Sequence, residues 1–538
     1  MRRSDSASSR RIRANAQSQN SRVSGPLRMP TTASKHRSDA ELNATREIAG
    51  SPKSPARKSA IALSALLALF AFIECWLPLK TTIQIGADEG FELAKATLCL
   101  DGYQLYSQVW NDQPPLHTLL ITQILKHVSP SILGPRLATS VFTAILLASI
   151  FFISLRLNGL LVATLMTGLL IASPGFIELS SSCMLEIPAL APAIAALCLL
   201  LVVPQSKWRI AEILTGILFA LALHIKLIGA ILLPLAALII WLRLRTAASP
   251  IKNISGSLIV LAASVAISFA ATDYLVDGGA YLRHFQQSWA SHFASTKSFE
   301  YGSPGDRPFD WSILLKNWDT TIPAVVGVAF LLGRVRQKST AILPLAWLAL
   351  TLIVFTSHKP WWPYYYIHNA IPLCWCAAIA IAFAWERIRL RRTIGLIVLL
   401  GLFAICALSW ISARVYLQVT SIRNSSQTYS SLVLKQINRL KPFARFIYTE
   451  EPIYSFHAGI PMPPNLAVVP LKRLWAGDMT NARIATEMAN AKPEIILLKR
   501  TSTDTPFNDL LASEYRPIYE DGKHRLYARK TIVKQAGF

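Results

Sequence analysis

The sequence predicts a polytopic α-helical membrane protein of about eleven transmembrane helices, followed by a small C-terminal α/β domain. Three observations predict it. The 538 residues are 52% hydrophobic and 16% charged, where soluble domains carry about 25% charged residues. Apolar runs recur from Ala60 to Ser412, each near the roughly 20 residues that a helix needs to cross a bilayer core. The charges between these runs alternate in character from one loop to the next. Backbone inside lipid must satisfy its own hydrogen bonds, so runs of this length mean helices rather than the alternating strands of a membrane barrel.

Residues 1–58 are rich in Ser, Arg, Ala and Asn and have no apolar periodicity. They read as a disordered basic tail, too long and too polar for the n-region of a signal peptide. The first span is expected at about Ala60 to Leu77. Further spans follow near 137–155, 160–175, 188–203, 210–224, 227–242, 256–275, 320–333, 340–356, 367–385 and 393–413. A basic tail before the first span and an acidic segment after it place the N-terminus in the cytoplasm. With that start, the cytoplasmic loops hold Arg156; Lys207 and Arg209; Arg243, Arg245 and Lys252; Arg334, Arg336 and Lys338; and Arg387, Arg389, Arg391 and Arg392. All are basic. The outside loops, notably 80–136 and 276–318, are longer and mixed. Loop 276–318 carries Arg283, His284, His292 and many aromatics and is expected along the membrane surface. An odd number of spans puts residues 414–538 outside. There Ala444–Thr449, Glu494–Leu498 and Arg525–Arg529 read as strands and Met479–Asn490 as a helix.

The net charge of +24 invites a nucleic-acid reading. The basic residues sit in a polar tail and in short loops, which suits membrane orientation and argues against a polyanion groove. Seven cysteines form no CxxC pair. Most lie in apolar runs as small buried residues, and only Cys99 and Cys183, both in outside loops, are placed to pair.

The first outside loop is the richest in chemistry. Asp88 and Glu89 follow the first span at the membrane surface, and a carboxylate there can take a proton from an attacking hydroxyl. Spacing alone equally fits a hydrated acidic loop. Asp88 and Glu92 are four apart, on one face of any helix. Glu186 opens a span with Pro188 in its first turn, either as a solvated helix start or as a second carboxylate at the same cavity. Lys226, beside His224, lies between two spans. An ionisable group at that depth is a functional candidate, though its stem can also reach the interface. The segment 357–372 is packed with Trp and Tyr, which commonly anchor a membrane surface. His358, Lys359 and His368 among those rings are placed to hold a lipid phosphate. The histidine spacing does not fit a zinc site.

Taken in order, these residues resemble the GT-C glycosyltransferases, in particular the bacterial relatives of protein O-mannosyltransferases and of the aminoarabinose transferases that act on lipid A. The resemblance runs over about 60–530. It rests on Asp88-Glu89 after the first span, Gly102-Tyr103 and Tyr106, Pro114-Pro115-Leu116, Arg136-Leu137, Glu186 before Pro188, Lys226 with Gly229, and Tyr365-Tyr366 with Pro372. In the C-terminal part it rests on YTEEPIYSFHAGIPMPP, EIILLKR and RLYARK. Two positions depart from the pattern. Gln113 stands where many relatives are basic, and Glu186 where Asp is frequent.

The resemblance implies a GT-C-like catalytic domain over 59–413 and an extracytoplasmic α/β domain over 414–538, in a bacterial plasma (inner) membrane. It implies a polyprenyl-phosphate sugar donor and a hydroxyl acceptor, whether lipid, glycan or protein, on the outer face. Asp88 would be the base of an inverting transfer, with Glu89 and Glu186 as further catalytic carboxylates. Arg136, Lys226 and Lys359 would bind the donor phosphate. Tyr106, His358, Tyr365 and Tyr366 would bind substrate. Such relatives do not in general require a metal, so no cofactor is expected, a divalent ion being the open alternative. Two rival readings remain at this point. One is a surface-polysaccharide ligase or polymerase with a diphosphate-linked donor. The other is a lipid-handling transporter, which more often shows internal repeats and mid-membrane charges.

Overall fold

A computed structural model describes residues 56–538 apart from 129–130, 287, 289–301, 392, 425–428 and 503. Residues 1–55 of the expected tail, His292 and Arg392 lie outside the described residues. Residues 56–58 belong to the first helix, not to the tail.

The membrane part is built from α1 (Ala56–Trp76), then two short loop helices α2 (Glu89–Leu100) and α3 (Leu116–Val128), then α4 (Leu133–Asn158) and α5 (Leu160–Ile171). A short helix α6 (Phe176–Ser180) leads into α7 (Glu186–Val202), α8 (Trp208–Ile225), α9 (Leu233–Leu244) and α10 (Pro250–Asp277). After the long connection that follows α10 come α11 (Trp318–Arg334), α12 (Ile342–Ser357), α13 (Tyr366–Arg391) and α14 (Ile394–Asn424). Among the described residues, eight helical segments are long and apolar enough to cross a membrane. The shorter α5, α7 and α11 occupy the other expected spans.

Packing separates an inner from an outer layer of helices. The α13 segment is 83% buried within the bundle, whereas those of α10 and α14 are 11% and 6% buried. The exposed side chains of the outer helices are large and apolar, among them Ile259, Ile267, Val398, Leu402 and Ile405, as a lipid-facing surface requires. At 31 residues, α14 is about 45 Å long by its 1.5 Å rise. That exceeds a hydrocarbon core of about 30 Å, and the helix ends just before the C-terminal domain.

That domain begins with α15 (Tyr429–Leu440) and holds a four-stranded sheet in the order β1-β2-β4-β3. The strands are β1 (Ile447–Thr449), β2 (Ile495–Lys499), β3 (Tyr515–Glu520) and β4 (His524–Arg529). β1 and β2 are parallel, joined by a crossover that contains α16 (Asn481–Ala491), and the other pairs are antiparallel. Three strands and the helix fall where the sequence placed them. β3 was not anticipated, because YRPIYE carries Pro517. It is an edge strand with an irregularity between Pro517 and Tyr519, where a residue without an N–H is tolerated.

Alternation along β2 divides its side chains between two cores. Ile496 and Leu498 pack with Ile484, Met488 and Leu511. Ile495 and Leu497 pack with Val433, Ile437 and Leu526, and in the same cluster with Leu93, Leu98 and Ile121 of α2 and α3. The segment between α1 and α4 and the C-terminal sheet therefore share one apolar core. Gly90 makes the close approach possible, since a Cβ there would stand 2.8 Å from the Ile453 backbone nitrogen. The His457 ring adds a hydrogen bond to the Ile83 carbonyl at 2.9 Å.

Candidate active site

The turn after α1 carries the first candidate carboxylate. Gly86 packs so tightly on 182–184 that a Cβ would meet the Met184 sulfur at 2.4 Å. This contact fixes the turn against the segment before α7. Asp88 is the N-cap of α2, yet its side chain makes no capping hydrogen bond. Its half-buried carboxyl instead feels the Tyr364 hydroxyl, which favours its charged form. Burial and the neighbouring Glu186 carboxylate hold the Asp88 carboxyl above the usual aspartate range, opposed by Lys226.

Glu186 is the first residue of α7 and is buried, with the helix N-terminus favouring its negative charge. One of its oxygens pairs with the Lys226 ammonium. The other has no hydrogen-bond partner among the described residues. Lys226 sits where α8 stops. Its own backbone is extended, and a 3₁₀ turn begins at the next residue, so the chain breaks there without a loop and aims the side chain inward. The ammonium lies 5.3 Å from the Tyr364 ring centre and 5.5 Å from that of Tyr365. His358 is edge-on to Tyr365 at 5.8 Å. Burial, then Lys472 and Lys226, hold its imidazole below the ordinary histidine range. Asp88, Glu186, Lys226, His358, Tyr364 and Tyr365 thus meet at one place, drawn from four separate stretches of chain.

Other candidates lie elsewhere. Glu89, one residue after Asp88, is fully buried. It holds the Arg136 guanidinium in a two-pronged contact at 2.8 and 2.7 Å and accepts the amides of Ile85 and Cys183. Arg136 is equally enclosed and also donates to the carbonyls of Leu79, Thr82 and Ile83. The expected roles for Glu89 in catalysis and Arg136 at a donor phosphate do not fit this enclosure, since every strong contact they make is with the protein's own framework. Tyr106 donates to the Gln113 carbonyl at 2.8 Å and packs between Tyr281 and His284 inside the loop. Tyr366 faces away from Lys226 and bonds Asn317, in a cluster with Asp319 and Arg414. Lys359 is exposed on the connection between α12 and α13. Cys99 and Cys183 are free thiols.

Sequence reasoning passed over Tyr364, one of three consecutive tyrosines. A 3₁₀ turn over Pro363–Tyr365 decides which ring faces which way, and nothing in the spelling of the segment shows that phase. It also left Glu92 without a role. Glu92 accepts from Lys95 at 2.7 Å and lies 3.4 Å from the His117 ring, all three buried. Burial alone would raise its carboxyl, but Lys95 and His117 more than offset that and hold it at about 2.

The chain shares its fold with solved structures of ArnT and of an archaeal oligosaccharyltransferase. Residues 104–286 match the family of dolichyl-phosphate-mannose-protein mannosyltransferases. The chain is similar to the crystal structure of apo ArnT from Cupriavidus metallidurans, with a TM-score of 0.60 and 13% identity over 87% of this chain and 98% of that one. It is likewise similar to the same protein bound to undecaprenyl phosphate, with a TM-score of 0.58 and 13% identity over 86% and 97%. The apo oligosaccharyltransferase of Archaeoglobus fulgidus matches with a TM-score of 0.50 and 11% identity over 81% of this chain and 69% of that one. No curated protein matches the chain.

Proposed function

We propose that this protein is an inverting membrane glycosyltransferase, with Asp88 as base, that moves a sugar from a polyprenyl phosphate to a hydroxyl acceptor. One observation carries the reading. An uncapped carboxylate, a second carboxylate and a lysine converge with two tyrosines beside the membrane bundle. The bound lipid of one similar structure, undecaprenyl phosphate, supports the donor class.

In this reading the acceptor hydroxyl attacks the anomeric carbon as its proton passes to Asp88. The bond from that carbon to the phosphate oxygen breaks, and the polyprenyl phosphate departs with the negative charge. Lys226 meets that charge, Glu186 fixes the ammonium, and Tyr364 orients the Asp88 carboxylate. A cation already in place as charge develops costs no reorganisation during the reaction. A positioned base supplies roughly 100- to 10,000-fold. The acceptor class spans lipid, glycan and protein hydroxyls. The same reading puts the N-terminus in the cytoplasm and the C-terminal domain outside a bacterial inner membrane, on the positive-inside pattern of the loops.

The test is transfer in membranes from radiolabelled polyprenyl-phosphate sugars, with wild type and Asp88→Asn at matched expression. Label should leave the lipid with wild type and fall at least about 100-fold with the variant. Equal transfer by both would remove Asp88 from the mechanism. Transfer only from diphosphate-linked donors would replace this reading with that of a polysaccharide ligase.

A further inference from the structure

The turn that carries Asp88 also walls a cavity of about 170 Å³, and no residue of the Lys226 cluster lines it. Gln84 and Ile85 of the turn form one side, Gly175 and Glu178 at α6 a second, and Gln418, Ser421 and Ile422 near the end of α14 the third. One water takes about 10–15 Å³ of such space, so there is room for roughly ten waters or for one sugar ring. The wall is open at Gly175, where an added Cβ would meet no atom within 4 Å.

The hydrogen bonds of these walls are unfinished. Gln84 uses its amide nitrogen on the carbonyls of Gly86 and Ala87, at 2.9 Å each, which leaves its side-chain oxygen as an acceptor. Gln418 is turned the opposite way. Its oxygen accepts the Gly175 amide at 3.1 Å, and its enclosed amide nitrogen has no partner among the described residues. Glu178 makes no hydrogen bond or ion pair with the described residues, and burial, then the Glu89 charge, push its carboxyl up to about 7.

This pattern selects a ligand class. A phosphate or carboxylate could accept from Gln418 but would face Glu178. An ammonium would pair with Glu178 and leave Gln418 unpaired, since it accepts nothing. An acyl chain would satisfy neither, and an enclosed donor without an acceptor costs stability. A hydroxyl both donates and accepts without carrying charge, and neighbouring hydroxyls on one ring can serve all three side chains. Ile85 and Ile422 offer apolar surface to the C–H face of such a ring, and the exposed Ser421 marks where it can enter.

We propose that this cavity is a binding subsite for one uncharged sugar ring, held by Gln84, Glu178 and Gln418. It goes beyond the transfer reaction, because it needs neither Asp88 nor a polyprenyl donor and stands even where transfer fails. Its occupant is a free sugar or the end of a glycan chain.

The experiment is saturation-transfer NMR on the purified full-length protein, in a detergent without a sugar headgroup. The probes are the methyl glycosides of glucose, galactose and mannose, with glucosamine and glucuronate as charged controls. At about pH 8, where Glu178 is ionised, wild type should bind at least one methyl glycoside and exclude glucuronate. Gln418→Glu keeps the bond to Gly175 but turns the free donor into an acceptor, and should weaken glycoside binding about tenfold or more. Ser421→Trp should do the same by filling the space from its exposed side, with no hydrogen bond altered. Glu178→Gln keeps an acceptor oxygen, so it should still bind the glycoside and now admit glucuronate. A trisaccharide that binds more tightly than its monosaccharide makes the occupant a glycan end, and equal or weaker binding makes it a free sugar. A wild type that binds none of the glycosides, or Gln418→Glu and Ser421→Trp proteins that bind them as wild type does, would overturn the proposal and leave the cavity to water.

Discussion

Two carboxylate–cation pairs flank Asp88, and they are built for opposite purposes. Glu89–Arg136 has no exposed surface, and both carboxylate oxygens and the guanidinium are engaged by protein groups. Glu186–Lys226 pairs through one carboxylate oxygen and leaves the other without a partner, while the ammonium lies near two tyrosine rings. The first pair ties the turn after α1 to α4 and to the segment before α7. The second stands beside the one acidic side chain of the turn that is not spent on structure. Of the two pairs beside Asp88, the one with complete hydrogen bonds is framework, and the one left incomplete is the candidate site.

The largest expected effect is therefore on folding. Arg136→Met leaves Glu89 charged and enclosed, at a cost of about 3–5 kcal/mol, and the protein should be lost from detergent extracts before activity can be read. Lys226→Met strands the buried Glu186 carboxylate and should also lower the melting temperature. What distinguishes it is that the fraction that folds should show transfer reduced about 100- to 1,000-fold, the scale of one lost electrostatic contact to a developing charge. A well-folded Arg136→Met protein with the same transfer defect as Lys226→Met would erase the distinction between the pairs.

The Glu92–Lys95 pair sharpens the comparison through pH. The Glu92 carboxyl titrates at about 2 in the folded protein, against an ordinary 4.5. A carboxyl held low contributes stability above its unfolded value, and that contribution is lost as pH falls towards the folded one. Melting temperature should thus drop as the pH is lowered from about 4.5 towards 2, because Glu92 takes up its proton. Glu92→Gln should start lower and show a shallower drop over that window. Parallel curves for the two proteins would mean that the buried network does not set acid stability.

The sequence made the bundle legible because each span is an apolar run with a basic flank, and both signals are local. It also brought out Asp88, Glu186 and Lys226, since ionisable residues at the ends of apolar runs stand out against their surroundings. It could not separate Asp88 from Glu89. The two differ by one step around α2, which turns one side chain towards Tyr364 and the other into Arg136, 47 positions away. The Lys472–Asp112 bridge was invisible for the same reason on a larger scale, because its partners are 360 positions apart. Charge and periodicity report what a residue's neighbours in the chain are doing, whereas these roles are set by partners brought in by the fold.

The smallest expected effect tests whether the tyrosine beside Asp88 belongs to the site or only to the aromatic surface. The Tyr364 hydroxyl favours the charged form of the Asp88 carboxyl, opposing the burial and the Glu186 charge that push it up. Tyr364→Phe removes that hydroxyl and should lift the carboxyl further. A base is lost as pH falls through its own titration, so the acid side of the kcat/KM profile should move to higher pH in the variant. At neutral pH the loss should be about tenfold or less, in keeping with one hydrogen bond to a charged group. Tyr365 supplies the control, because it shares the cation but is not among the groups that act on the Asp88 carboxyl. Tyr365→Phe should leave the profile where wild type has it. If both variants move the acid side equally, the shift comes from a general loosening around Lys226, and the Tyr364 hydroxyl has no separate part in setting the Asp88 charge.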